Sequence, residues 1–269
     1  MKLSIITVNL NNVRGLHKTM ESILSQTCND FEWIVIDGGS TDGSKDLIEQ
    51  NAEHIAYWVS EPDRGIYHAM NKGIKVAKGN YLNFLNSGDY YWSNEVVKQF
   101  SEARLLDDVI YANSIFVDSE GHESGRQCPP ACVPLSYFWS NNFNHQSVFY
   151  HRRCFDNYLF DEQNRIHSDK ESYMYLLYHG FSFKKWNQVV AYCEAGGLSS
   201  NGNGSEEFPQ IVSRVLPAGI RTDYETFIKL RDVDLAIIIL KIIDSNRFWR
   251  NLTRVFLYPI NFLSQKFHS

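Results

Sequence analysis

The strongest constraint on the fold is an alternation in the N-terminal third. Four short apolar runs each close on a polar loop, and a helix-period segment separates each from the next. Leu3 to Val8 is compact and β-branched, the pattern of a parallel strand buried on both faces. Asn9 to Asn12 follow as a loop. Leu16, Met20, Ile23 and Leu24 then recur at helical spacing up to Gln26. Phe31 to Ile36 is a second strand, ending in Asp37-Gly38-Gly39-Ser40-Thr41-Asp42-Gly43. Ser40 or Asp42 is placed to cap a helix carrying Leu47 and Ile48. Ile55 to Val59 reads as a third strand, running into Glu61-Pro62-Asp63-Arg64-Gly65. The helix after it sets Ile66, Ala69, Met70, Gly73, Ile74 and Ala77 on one side. Tyr81 to Leu85 is the fourth strand. Such alternation predicts a doubly wound α/β sheet. Right-handed crossovers would bring the ends Asn9, Asp37, Asp63-Arg64 and Asp89 to one rim.

Beyond Asp89, Val96, Val97 and Phe100 mark a helix. Val109 to Val117 reads as a strand and Asp118 to Gly121 as a turn. Gln127 to Val133 is a Pro/Cys loop. Asn144-His145-Gln146 leads into a strand from Ser147 to Tyr150. Ser168-Asp169 starts a helix expected to turn Met174, Leu177 and Tyr178 inward. Phe181–Trp186 and Val189–Cys193 read as two strands, and the Gly/Ser-rich stretch Glu194 to Ser205 as a loop.

The net charge of −5 disfavours a nucleic-acid partner. The five cysteines form no C-x-x-C pair, which suits reduced thiols in a cytosol. Cys128 and Cys132 lack a second ligand pair at zinc spacing. The start MKLSIITVNLNN has too short an apolar run for a signal peptide, and no stretch reaches the length of a membrane span. The expected location is cytoplasmic.

The fourth strand ends in Asn86-Ser87-Gly88-Asp89. A carboxylate on a Gly-containing turn at a strand's C-terminal end suits a Mg²⁺ or Mn²⁺ ion, which one or two carboxylates and ligand phosphates suffice to hold. The alternative is an ordinary polar turn.

SIITVNLN at Ser4–Asn11, IDGGSTDGS at Ile36–Ser44, EPDRGIYHAMNKGI at Glu61–Ile74 and FLNSGD at Phe84–Asp89 resemble, in content and order, an inverting family 2 glycosyltransferase of the bacterial surface-polysaccharide type. NHQSVFY at Asn144–Tyr150, the Ser168-Asp169 helix start and AYCEAGGLSS at Ala191–Ser200 extend the likeness. The resemblance implies a GT-A fold, that is, a Rossmann-like, mostly parallel sheet flanked by helices. Residues 1–207 would be the catalytic domain, with a nucleotide-sugar half to about residue 115 and an acceptor half beyond it. It implies a nucleotide-diphosphate sugar donor, by family habit a UDP-sugar, and a Mn²⁺ or Mg²⁺ cofactor. Thr7, Val8 and Asn9 would line the base pocket and Asp37 would bond the base or ribose. Asp63 and Arg64 would close over the nucleotide, with Ser87 and Gly88 beside it. Asp89 would be the metal ligand, joined by His145 if that residue is not structural. Asp169 would be the general base, if not simply a helix cap. The sequence departs from the family where carboxylates commonly precede the last Asp of the tip; here those places hold Asn86 and Gly88.

Sugar transfer from a nucleotide diphosphate needs charge on the leaving group offset, by a metal and a cation such as Arg64, and the acceptor hydroxyl relieved of its proton. The expected acceptor is a saccharide, free or lipid-linked. A non-catalytic sugar-nucleotide-binding subunit of an assembly complex is the competing reading. A nucleotidyltransferase would need a Gly-rich basic loop after the first strand, and a nicotinamide enzyme a G-x-G-x-x-G there; both are absent.

Residues 208–269 read as a helical extension. Phe248, Trp249, Leu252, Val255 and Phe256 share one face of a helix, with Arg247, Arg250 and Arg254 on the other. That composition suits peripheral contact with the inner membrane surface, or packing on the catalytic domain or a second copy in a homo-oligomer.

Overall fold

The computed structural model describes residues 2–118, 120–194 and 207–231. The chain divides into two units, Met1–Leu216 and Pro217–Ser269. In the second, the described element is the helix α7 (Ala218–Arg231). The first unit is built on a nine-stranded sheet.

The alternation read from the sequence is present. β1 (Leu3–Asn9) is buried along its whole length, as a central parallel strand must be. It pairs in parallel with β2 (Phe31–Asp37) on one side and β4 (Tyr81–Phe84) on the other, and β3 (Tyr57–Ser60) adds in parallel to β2. β3 starts later than expected. It is an edge strand, so Tyr57 is exposed, while Ile55 is buried just before it.

Helices cover both faces. Leu16, Met20 and Ile23 of α1 (Val13–Leu24) and Ile48 of α2 (Ser44–Gln50) join Leu3, Ile5, Trp33 and Val35 in one core. On the other face, α3 (Ile66–Val76) lies so close to β1 that a Cβ on Gly73 would stand 2.5 Å from Ile6 Cγ2. Asn12 caps α1 by accepting from Gly15 N–H, and Asp42 accepts from Ser44 N–H in the first turn of α2.

The second half changes direction. β8 (Val148–His151) runs antiparallel to β4, and β6 (Val109–Val117) antiparallel to β8. The two strands expected between Phe181 and Cys193 are one, β9 (Phe183–Glu194), parallel to β6. Its register slips from Tyr111↔Lys185 to Asn113↔Val189, so part of Trp186–Gln188 bulges and interrupts the period. The short strand β5 (Tyr90–Tyr91) pairs with β9, and β7 (Glu123–Gln127) with β6. Neither β5 nor β7 was anticipated. The helix α4 (Val96–Ala103) packs Val96, Val97 and Phe100 inward as read. The helix α5 (Ser168–Tyr178) differs. It buries Ser172, Tyr173, Met174 and Leu176, while Tyr178 is exposed. α5 is buried on several sides near its start, so no single inward face could be read from its sequence.

The helix α6 (Glu207–Val215) belongs to the first unit. Most of the expected loop after Glu194, and the basic aromatic segment beyond Arg231, lie outside the described residues. Among the described residues no helix is long and apolar enough to cross a membrane.

Candidate active site

Strand register builds one side of the site. Asn9, Asp37 and Ser60 stand in one row across β1, β2 and β3. Asn9 Nδ2 donates to Asp37 Oδ1 (2.7 Å) and Ser60 Oγ to Oδ2 (2.6 Å). Ser40 adds its N–H at 2.9 Å and its hydroxyl at 2.5 Å. Burial pushes the Asp37 carboxyl up, but bonds from Ser40, Ser60 and Asn9 outweigh it and hold the group below the usual carboxylate range. This carboxylate is fully buried and its lone pairs are taken by the protein. These bonds tie the ends of β1, β2 and β3 together at the residue that the sequence reading expects to bond a base or ribose.

Thr7 and Val8 are likewise buried within β1, and Thr7 Oγ1 accepts from Trp33 Nε1. Asp63 is half-buried, with Oδ2 2.6 Å from where a Gly38 Cβ would stand. Its Oδ1 accepts from Gly65 N–H (2.9 Å). Arg64 is exposed and pairs with Glu162.

The tip after β4 is tied back to β1 and α1. Ser87 N–H donates to the Val8 carbonyl, and Asn12 Nδ2 to the Ser87 carbonyl. Gly88 has φ +104°, a conformation L side chains rarely adopt, and a Cβ there would stand 2.8 Å from Glu194 Oε2. Asp89 is turned inward and buried. Gln146 Nε2 donates to its Oδ2 (2.6 Å) and Glu194 N–H to its Oδ1 (3.0 Å). Burial outweighs the help from Gln146 and His145 and pushes the Asp89 carboxyl up to about 6.

Because β8 runs antiparallel to β4, the start of β8 lies beside the end of β4. A 3-10 turn, His145–Ser147, sits there, and Asn83 Nδ2 donates to the Gln146 and Val148 carbonyls. His145 Nε2 lies 2.9 Å from Asn86 Nδ2, and its Nδ1 lies 3.6 Å from Asp169 Oδ2. One turn therefore touches both key carboxylates.

Asp169 occupies the first turn of α5 and is 5% exposed. Asn142 Nδ2 donates to its Oδ2 (3.1 Å), while Lys170 N–H donates to its Oδ1 (2.7 Å). Tyr67 Oη lies 3.3 Å from Oδ1 and donates to the Ile166 carbonyl at 2.5 Å. Burial, then the Asp169 charge, hold Tyr67 protonated. The turn before α5 is fixed from α6, where the Glu207 carboxylate accepts the N–H groups of Arg165, Ile166 and His167. Arg214 of α6 pairs with Glu171 and Asp161.

Asn142, Gln146, Tyr67 and Glu207 were not singled out from sequence. Gln146 and Tyr67 had a signal, their places in NHQSVFY and EPDRGIYHAMNKGI; Asn142 and Glu207 are brought in by tertiary packing.

The fold family implies a divalent metal. Among the described residues no three His, Cys, Asp or Glu side chains gather into a metal cluster. The chemistry still fits a sparse site of the kind Mg²⁺ or Mn²⁺ accepts from one or two carboxylates. Asp89 is a buried carboxylate raised by desolvation, with the Glu194 carboxylate near enough to raise it further, so a cation there would offset an uncompensated charge.

Comparison with known proteins agrees with this architecture. The family described as "Glycosyl transferase family 2" matches residues 4–168. An uncharacterized glycosyltransferase of Mycobacterium tuberculosis (strain CDC 1551 / Oshkosh) is 43% identical over 102 residues, covering 38% of this chain and 39% of that protein. The chain thus spans about two fifths of that relative's length. A PGL/p-HBAD biosynthesis glycosyltransferase of Mycobacterium bovis (strain BCG / Pasteur 1173P2) is 29% identical over 206 residues, 73% of this chain and 78% of that one. Among solved structures, S. aureus TarS 1-349 in complex with UDP-GlcNAc has TM-score 0.64 at 19% identity, covering 79% of this chain and 64% of that one. The mannosyltransferase PcManGT from Pyrobaculum calidifontis, in complex with GDP-Man and Mn²⁺, has TM-score 0.55 at 13% identity, covering 94% and 83%. At these identities the two structures speak to the fold.

Proposed function

The chain belongs to glycosyl transferase family 2, and from that premise we propose that it moves a sugar from a nucleotide-diphosphate sugar, a UDP-sugar by preference, to a hydroxyl of a saccharide or lipid-linked saccharide. The transfer is a single displacement with inversion. The acceptor oxygen forms the new bond to the anomeric carbon as its proton passes to Asp169. The anomeric C–O bond to the diphosphate breaks, and its electron pair leaves with the nucleotide diphosphate.

One observation carries this reading. Asp89, on the tip after β4, and Asp169, at the start of α5, are touched by consecutive residues of one turn, Gln146 and His145. A carboxylate suited to the donor side and one suited to the acceptor proton thus meet the same turn. Asp89 would hold Mg²⁺ or Mn²⁺, with help from the Glu194 carboxylate, and the ion would offset charge on the diphosphate. Asp63 and Arg64, after β3, would flank the nucleotide. Ser87 and Gly88 offer close backbone approach beside it. The UDP-GlcNAc bound by TarS and the Mn²⁺ bound with GDP-Man by PcManGT support the donor class and the metal by analogy.

The test is a panel of UDP-, GDP- and dTDP-sugars, each with and without Mn²⁺, read by thermal stabilisation and by NMR of the product's anomeric configuration. The proposal expects one UDP-sugar to raise the melting temperature and to give the inverted configuration. Stabilisation without turnover for any acceptor would instead favour a non-catalytic binding subunit.

A further inference from the structure

Building on the assignment of Asp169 as the base, we infer that His145 is a positioning residue. It fixes the Asp169 carboxylate against the donor-side tip, and it is not a metal ligand.

Three observations lead there. First, the turn that carries His145 is rigidly seated, because Asn83 of β4 holds the Gln146 and Val148 carbonyls and Ser147 N–H donates to the Asn144 carbonyl. Second, both ring nitrogens face protein groups. Nε2 lies 2.9 Å from Asn86 Nδ2, and Nδ1 lies 3.6 Å from Asp169 Oδ2. A metal ligand needs a free lone pair on one nitrogen; here one nitrogen accepts from an amide and the other faces a carboxylate. Third, the pairing puts a proton on Nδ1. With the Asn86 amide nitrogen toward Nε2, the amide donates, Nε2 accepts and the ring proton sits on Nδ1, toward Asp169. With the amide reversed, an imidazolium would donate from both nitrogens, so in either arrangement Nδ1–H faces the carboxylate.

The consequence is mechanical. Asn86 belongs to the tip that carries Asp89, so the imidazole bridges the donor side to the base. His145 and Asn142 both approach Oδ2, while Lys170 N–H and Tyr67 approach Oδ1. The carboxylate plane is thereby set from both edges. A residue in this role governs the chemical step and leaves donor affinity alone.

Replacements that each preserve one ring nitrogen test it. In His145→Asn the amide nitrogen falls near the Nδ1 position; in His145→Gln the terminal amide falls near Nε2. The expectation is that His145→Gln and His145→Ala lower kcat by about 10–100-fold, in line with a misplaced reacting group, while donor KM and UDP affinity stay within about two-fold. His145→Asn also lowers kcat, though by less, because it keeps a donor toward Asp169 but loses the bridge to Asn86. The Asp169→Asn/His145→Gln double variant is no slower than Asp169→Asn alone, because the two residues act as one unit. Melting temperatures check that each variant folds. If the Gln and Ala variants do not fold, Asn86→Ala, which removes the amide from Nε2, carries the same expectation of lower kcat at unchanged donor KM. The inference is overturned by unchanged kcat in the Gln and Ala variants. It is also overturned by additive losses in the double variant, or by a loss that excess Mn²⁺ restores, which would mark a ligand. Full activity of Asp169→Asn would remove the underlying mechanism instead, so the two failures are distinguishable.

Discussion

Gln146 Nε2 donates to Asp89 Oδ2 at 2.6 Å, shorter than the 3.0 Å bond from Glu194 N–H to the other oxygen of this buried carboxylate. The bond crosses from the turn before β8 to the tip after β4. Gln146→Leu would strip the carboxylate of that donor and raise its affinity for a proton. The variant is expected to lose about 1–3 kcal/mol of stability, the cost of leaving a buried polar group unpaired, and to need more Mn²⁺ at neutral pH. Mn²⁺ titrations of activity at several pH values check this.

Asp89 sets a pH dependence whose sign follows from its shift. Its carboxyl stands at about 6, above the ordinary aspartate value of 3.8, because burial penalises the charged form. The contribution to native stability is therefore fully present below the unfolded value and is lost as pH rises through about 6. Over that window the ligand-free protein should lose on the order of 3 kcal/mol from this one group. Asp89→Asn abolishes the loss, since an Asn oxygen can still accept from Glu194 N–H and its nitrogen can donate to a rotated Gln146 amide. Melting curves between about pH 4 and pH 8 should decline for the native chain and stay flatter for Asp89→Asn. Metal-dependent transfer should disappear in the variant.

Asp37 has the opposite sign. Burial raises it, but bonds from Ser40, Ser60 and Asn9 prevail and leave it below 3.8. Its stabilisation is present above the unfolded pKa and fades as pH falls through the lower folded value. Asp37→Ala leaves the side chains of Asn9, Ser40 and Ser60 without their common acceptor. The expected cost is on the order of 3 kcal/mol, as for other broken buried networks, seen in urea denaturation. A variant that weakened donor binding at unchanged stability would contradict this structural role.

The parallel half of the fold was legible because β1 and β2 are buried on both faces and read as compact, β-branched, mostly apolar runs. The four strand-end loops were legible because right-handed crossovers leave them one edge to occupy. β5 and β7 were not, since one has two residues and the other, ESGRQ, has no apolar alternation. β9 read as two strands because part of Trp186–Gln188 bulges against β6. In the site, Asp89 and Asp169 could be named from motifs. What Asp37 and His145 do depends on their neighbours in space. The network around Asp37 was not legible because Ser60, which bonds its second oxygen, lies far along the chain.

Gly79 tests the seam between β1 and β4. Its N–H donates to Ser4 Oγ and to the buried Glu32 carboxylate. A Cβ there would stand 2.6 Å from Ser4 N and 2.9 Å from Leu3 C, both backbone atoms with little room to move. Gly79→Ala should cost about 1–3 kcal/mol through overpacking, measured by urea denaturation.

The most direct measurement is the transfer rate of Asp169→Asn beside its donor affinity by calorimetry. If Asp169 takes the acceptor proton, the rate falls by about 10²–10⁴-fold while the nucleotide sugar binds as before. Transfer at the native rate in that variant would contradict the account.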